Sequence, residues 1–95
     1  MLLSFMFIIL GAVTAQTQKV SGVVTSEEDG LPVVGATILV EGTTLGTITG
    51  IDGDFVLPNV PQSAKSLKVS YIGMQSQVVG IKPNLKIVLK SDTEL

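Results

Sequence analysis

From Lys19 to Lys90 the apolar residues of this chain recur at every second position in short runs, and Gly, Pro and Asp break those runs at intervals of roughly 8–12 residues. Val, Ile and Thr dominate the runs, and two heavy atoms on Cβ suit these side chains to a pleated strand better than to a helix. No window sets apolar residues at i, i+3, i+4 and i+7, so a helix built here would have no apolar stripe to bury. A chain patterned this way removes apolar surface from water by pairing strands into sheets and laying one sheet over another.

The runs predict seven strands. In the first, Val20, Gly22 and Val24 share one face, with Ser21 and Val23 on the other. A polar loop over residues 26–32 follows, in which Asp29-Gly30 signals a turn and Pro32 has no N–H to give a ladder. The second strand is expected over 36–41, with Ala36, Ile38 and Val40 inward. The third is expected over 45–49, centred on Ile48 and flanked by Gly42, Gly46 and Gly50. Asp52-Gly53 then closes a tight turn into a fourth strand, 54–57, where Phe55 and Leu57 face the core and Pro58 and Pro61 end it. The fifth, 66–72, puts Leu67, Val69 and Tyr71 on one side and Lys68 and Ser70 on the other. A sixth spans 75–81, and Lys82-Pro83-Asn84 turns the chain into a seventh, 86–90, with Ile87 and Leu89 inward. Seven short strands with regular turn signals predict an all-β fold, a small antiparallel Greek-key β-sandwich. Val23, Leu39, Val56, Ile72 and Val88 fall at outward positions, which predicts that one outer face is covered by a neighbouring domain or another copy.

The first fifteen residues follow a different rule. Twelve of them are hydrophobic, and the run leads to Val13-Thr14-Ala15, small or aliphatic residues at the positions signal peptidase reads. About 12 helical residues reach ~18 Å, short of a ~30 Å hydrocarbon core. The expected organisation is a signal peptide over 1–15 cleaved after Ala15, a linker over 16–18, the sandwich over 19–91 and a tail over 92–95. The mature chain then has no direct membrane span, and Phe55 and Tyr71 are its two aromatic residues. Both are expected in or at the core, with the Tyr71 hydroxyl at its rim.

Missing residue types exclude much chemistry. With no His there is no imidazole base, no Ser-His-Asp triad and no His-ligated metal; with no Cys there is no disulfide framework, thiolate nucleophile or zinc knuckle. Six Lys at positions 19, 65, 68, 82, 86 and 90, against 8 acidic residues, are scattered and make no footprint for nucleic acid. Asp52 and Asp54 flank Gly53 and are weak candidates for a Ca²⁺ site, but the alternating acids and distant Glu of an EF-hand loop are absent, and Asp-Gly is a turn dipeptide for backbone reasons. Carboxylates at i and i+2 also point the same way, unlike a glycosidase pair that faces across its substrate. Glu27-Glu28-Asp29 reads as a solvated loop. Thr43, Thr44, Thr47 and Thr49 read as strand formers on an exposed face. No catalytic residue, cofactor or metal is expected.

The ordered set Val20-x-Gly22-x-Val24, Gly30-x-Pro32, Gly35-Ala36-Thr37-Ile38, Val40-x-Gly42-Thr43-Thr44-x-Gly46-Thr47-x-Thr49, Asp52-Gly53-x-Phe55-x-Leu57 and Leu67-x-Val69-Ser70-Tyr71-Ile72-Gly73 resembles the carboxypeptidase-D regulatory-like domain, in the form that opens SusC/RagA-type TonB-dependent outer-membrane receptors. The resemblance covers about residues 19–91, and its motif residues are Gly22, Gly35, Gly42, Gly46, Asp52, Gly53, Phe55, Tyr71 and Gly73. Gly50 stands where the family usually has Asp, so a first turn acid is missing.

The resemblance implies a transthyretin-like (prealbumin-like) sandwich in the periplasm, associated with the cell outer membrane. It implies attachment to a receptor plug and barrel that import glycans or peptides in nutrient uptake. Implied partners are that plug and barrel, the TonB complex and a surface lipoprotein. The expected role is a non-catalytic N-terminal module acting by protein contact, here as a fragment that stops where the family continues toward the plug. A free-standing secreted module that binds glycan or protein is the alternative.

Overall fold

The computed structural model describes residues 16–92; the expected leader over 1–15 and the end of the tail, 93–95, lie outside them. Seven strands appear: β1 (Thr17–Ser26), β2 (Thr37–Val40), β3 (Gly46–Ile48), β4 (Asp54–Pro61), β5 (Ser66–Ser70), β6 (Gln77–Gly80) and β7 (Asn84–Leu89). They form a three-stranded sheet in the order β4-β1-β7 and a four-stranded sheet in the order β3-β2-β5-β6. The inward faces of the two sheets meet in one core, in which Ile38, Leu67, Leu89, Val20, Val24, Val40, Val60 and Val69 are the largest fully buried side chains. Alternation places all of them except Val60, since residues two apart share a face.

Four of the five strand pairings are antiparallel; β7 lies parallel to β1, with Gly22 opposite Leu85 and Val24 opposite Ile87. This departs from the wholly antiparallel expectation. Alternation fixes which side chains face inward but carries no information on strand direction, and β7 reaches its place beside β1 by crossing over from β6 in the other sheet.

Strand boundaries also differ, most informatively in β1, β3 and β4. β1 takes in Thr17 and Gln18, assigned above to a linker. β3 is only three residues long, and Ile48 at its end faces outward with 64% of its surface exposed, while Thr47 and Thr49 turn inward. β4 does not end at Pro58. Leu57 pairs with Val20 and Val60 with Gln18, so Pro58 and Asn59 together oppose Lys19 in a bulge. The extra residue returns Val60 to the core, and a proline is tolerated because β4 is an edge strand and Pro58 sits at the bulge.

Two glycines permit close approaches in the three-stranded sheet. A Cβ on Gly22 would stand 2.6 Å from the Leu85 carbonyl oxygen and 2.8 Å from the Phe55 ring, so the ring packs directly on the β1 backbone. Gly53, at φ 73°, leaves no room for a Cβ either: the Val24 carbonyl oxygen would be 2.5 Å away.

The five apolar residues expected on one outer face are all exposed but do not share a face. Val23, Val56 and Val88 lie together on the outside of the three-stranded sheet, where Val23 is flanked by Asp54 and Lys86. Leu39 lies outside the four-stranded sheet beside Lys68, and Ile72 lies beyond β5 in a turn, 88% exposed.

Candidate functional site

Strand directions gather three loops at one end of the sandwich. β1 and β7 finish there, β4 begins there, and the loops 27–36, 49–53 and 71–76 close over it. Backbone bonds tie them together: Gly35 N–H donates to the Thr49 carbonyl (3.0 Å), Thr49 N–H to Ala36 (2.9 Å), Val24 N–H to Gly53 (2.8 Å), Asp92 N–H to Gly73 (3.0 Å) and Gln75 N–H to Lys90 (2.8 Å).

Thr49 lies at the centre of this end and is buried, contrary to its expected place on an exposed face. Its hydroxyl donates to the Val33 carbonyl at 2.5 Å and accepts from the Ala36 N–H at 2.9 Å, clasping the long first loop to the third strand. With both roles filled, the buried hydroxyl's lost hydration is offset by hydrogen bonds within the protein. Its partners stand 13 and 16 residues earlier in the chain, so the alternating pattern carries no sign of the clasp. Thr43 caps the opposite end, donating to the Val40 carbonyl and accepting from Leu45 N–H in a local turn.

The motif residues fall into three groups. Gly22 and Phe55 pack on each other inside the sandwich, and Gly46 lets the β2 backbone approach, since a Cβ there would lie 2.8 Å from the Ile38 carbonyl oxygen. Gly35, Gly42, Gly53 and Gly73 hold positive φ in turns. Asp52 belongs to the turn in which Gly53 N–H donates to Gly50 and Gly50 N–H donates to Asp54, each at 2.9 Å. Among the described residues, no group of three or more His, Cys, Asp or Glu is arranged to hold a metal ion. Asp52 and Asp54 are exposed, and the Asp54 backbone carbonyl is engaged in the turn.

Tyr71 is not part of the core. β5 ends at Ser70, the chain turns, and the ring stands 37% exposed near Gly35. With Met74 it forms one wall of an open groove of about 390 Å³ whose other wall is the first loop, from Glu28 and Asp29 through Leu31 to Val34. Asp29 is fixed in place by accepting the Leu31 N–H at 3.0 Å. Nothing in the sequence pattern announced this groove, because its walls come from two loops about forty residues apart in the chain. A smaller recess of about 110 Å³ lies between Leu45, Gly46 and the β4 bulge.

Charge is distributed unevenly along the sandwich. Among the described residues, Glu27, Glu28, Asp29, Asp52, Asp54 and Asp92 lie at the three-loop end with Lys90, while Lys19, Lys65 and Lys82 lie toward the opposite end with Glu41. The groove therefore opens on the acidic end. It is lined by one aromatic ring, aliphatic side chains and the carboxylates of Glu28 and Asp29.

Comparison with known proteins gives a consistent picture. Residues 20–95 match the family described as CarboxypepD_reg-like domain. TonB-dependent receptor P3 of Formosa agariphila is 44% identical over 93% of this chain, and TonB-dependent receptor SusC of Bacteroides thetaiotaomicron is 41% identical over 100% of it. In each case the chain spans 9% of the relative's length. Among solved structures, a chain of a type II cohesin–X-dockerin complex from Acetivibrio cellulolyticus superimposes with a TM-score of 0.62 at 17% identity, covering 76% of this chain and 56% of that one. That likeness is one of fold, a β-sandwich.

Proposed function

The chain belongs to the CarboxypepD_reg-like domain family and is homologous to SusC-type TonB-dependent receptors, and from that premise we propose that it is the exported, periplasmic N-terminal module of such a receptor at the outer membrane. It acts by protein contact and carries out no catalysis. The observation that carries this reading is the 44% identity that runs over 93% of the chain yet touches 9% of a receptor. A similarity of that shape fits a module joined to a much larger transport body. The transport itself, of glycans or peptides, belongs to the plug and barrel, because a membrane barrel needs at least about 8 strands of ~9–11 residues with an outward apolar band. Among the described residues no helix is long and apolar enough to cross a membrane.

Fractionation tests the compartment. In cells making the chain, osmotic shock is expected to release a protein that begins at Gln16; a cytoplasmic protein still beginning at Met1 overturns export. The reading frame beyond the Leu95 codon tests the receptor assignment. A plug and a β-barrel are expected there, and a stop codon with neither nearby favours a free-standing binding module.

A further inference from the structure

We propose that the groove at the acidic end of the sandwich is the docking site for an extended polypeptide segment of a partner protein, one that presents an aliphatic side chain next to Lys or Arg. This rests on the reading of the chain as a contact module and names the surface that makes the contact. The groove, about 390 Å³ and open to solvent along one side, has the volume to take an amino-acid side chain. Its walls are the aliphatic Leu31 and Val34 on one loop and Tyr71 with Met74 on the other. Leu31 is 60% and Val34 50% exposed, and Ile51 and Ile72 stand exposed on the neighbouring loops, so apolar surface concentrates where these loops meet. Exposed apolar surface gathered around a concavity and rimmed by charge marks an interaction site.

Charge identifies the occupant. Glu28 and Asp29 line the groove, and among the described residues Glu27, Asp52, Asp54 and Asp92 lie at the same end of the sandwich against the one cation Lys90, so a cation beside the entering apolar side chain is drawn in and an acidic segment repelled. Tyr supplies rigid contact area at low entropic cost, and Met adapts to side chains of different shape. Aliphatic walls with a single ring suit an aliphatic side chain better than a sugar, whose recognition would call for a flatter aromatic platform and a set of converging hydrogen-bond groups.

Titration of the isotope-labelled chain, as the cell produces it, with synthetic peptides tests this. Acetylated Lys-Leu-Lys-Leu amide is expected to shift the backbone amides of Leu31, Val34, Tyr71 and Met74, while Glu-Leu-Glu-Leu and Lys-Ser-Lys-Ser leave them in place. Leu31→Ser and Tyr71→Ala are each expected to weaken the response by about tenfold, roughly one well-packed apolar contact, and Glu28→Gln to weaken it less. These residues are exposed, so a dispersed amide spectrum for each variant separates lost binding from lost fold. The proposal is overturned by an equal response to Lys-Ser-Lys-Ser, which is charge attraction alone, or by shifts confined to the Val23, Val56 and Val88 face. It is equally overturned if a maltooligosaccharide moves the groove amides and the peptide does not, or if they move with protein concentration alone, which makes a second copy the occupant. A failed titration with a periplasmic chain removes the groove and leaves the receptor reading intact; binding by a chain found in the cytoplasm does the reverse.

Discussion

The Thr49 hydroxyl holds the long first loop where it runs into β2, and its value is measurable. Thr49→Val keeps the shape and removes both side-chain bonds, to the Val33 carbonyl and from the Ala36 N–H, which is expected to cost about 1–3 kcal/mol in denaturant unfolding. Phe55→Ala empties the space between the Gly22 backbone and the core and is expected to cost about 3–5 kcal/mol. Gly53→Ala meets two penalties at once, a left-handed backbone worth roughly 1–2 kcal/mol and a Cβ placed 2.5 Å from the Val24 oxygen, so a loss above about 2 kcal/mol is expected. A Gly53→Ala variant as stable as the parent would show that the turn takes another form. Phe55 and Gly53 were both legible as residues, one from alternation and one from the Asp-Gly turn. Thr49 and Tyr71 were not: the partners of the first are distant in sequence, and the second follows the last residue of β5, where alternation no longer governs direction.

At the scale of elements, period-two patterning located all seven strands but erred at their ends and on one direction. The β4 error has a local cause. Pro58 reads as a terminator when every strand N–H is assumed to be needed, whereas an edge strand with a bulge dispenses with one. The parallel β1–β7 pair leaves β7 as an edge strand, partly covered where the Gln77 side-chain amide donates to the Val88 carbonyl. Lys86 lies mid-strand on β7, opposite Val23 and two residues before the exposed Val88 on the same face. A lysine on an edge strand opposes pairing with another chain. Lys86→Val both removes that charge and joins the valines into a continuous patch, and is expected to give concentration-dependent association in sedimentation velocity where the parent chain stays monomeric.

For the whole molecule, the expectation is a sandwich that folds without metal: its core is continuous and apolar, and among the described residues no buried side-chain polar atom lacks a hydrogen-bond partner. Neither Ca²⁺ nor a chelator is expected to move the thermal midpoint; a strong rise with Ca²⁺, reversed by chelation, would make Asp52 and Asp54 ligands, because binding to the folded state alone raises stability in proportion to ln(1 + [L]/Kd). The sequence by itself determined the all-strand class, the seven strands, the exclusion of His and Cys chemistry and most of the inward set from Val20 to Leu89, though Tyr71 stands outside the core and Val33 and Val60 join it. These follow from residue type and from a period of two, both local properties. Tertiary structure decided the parallel β1–β7 pairing, the separation of the outward apolar residues onto different faces, the Thr49 clasp and the acidic groove. Each of these depends on which loops and strands from distant parts of the chain end up side by side, and a two-residue period says nothing about that.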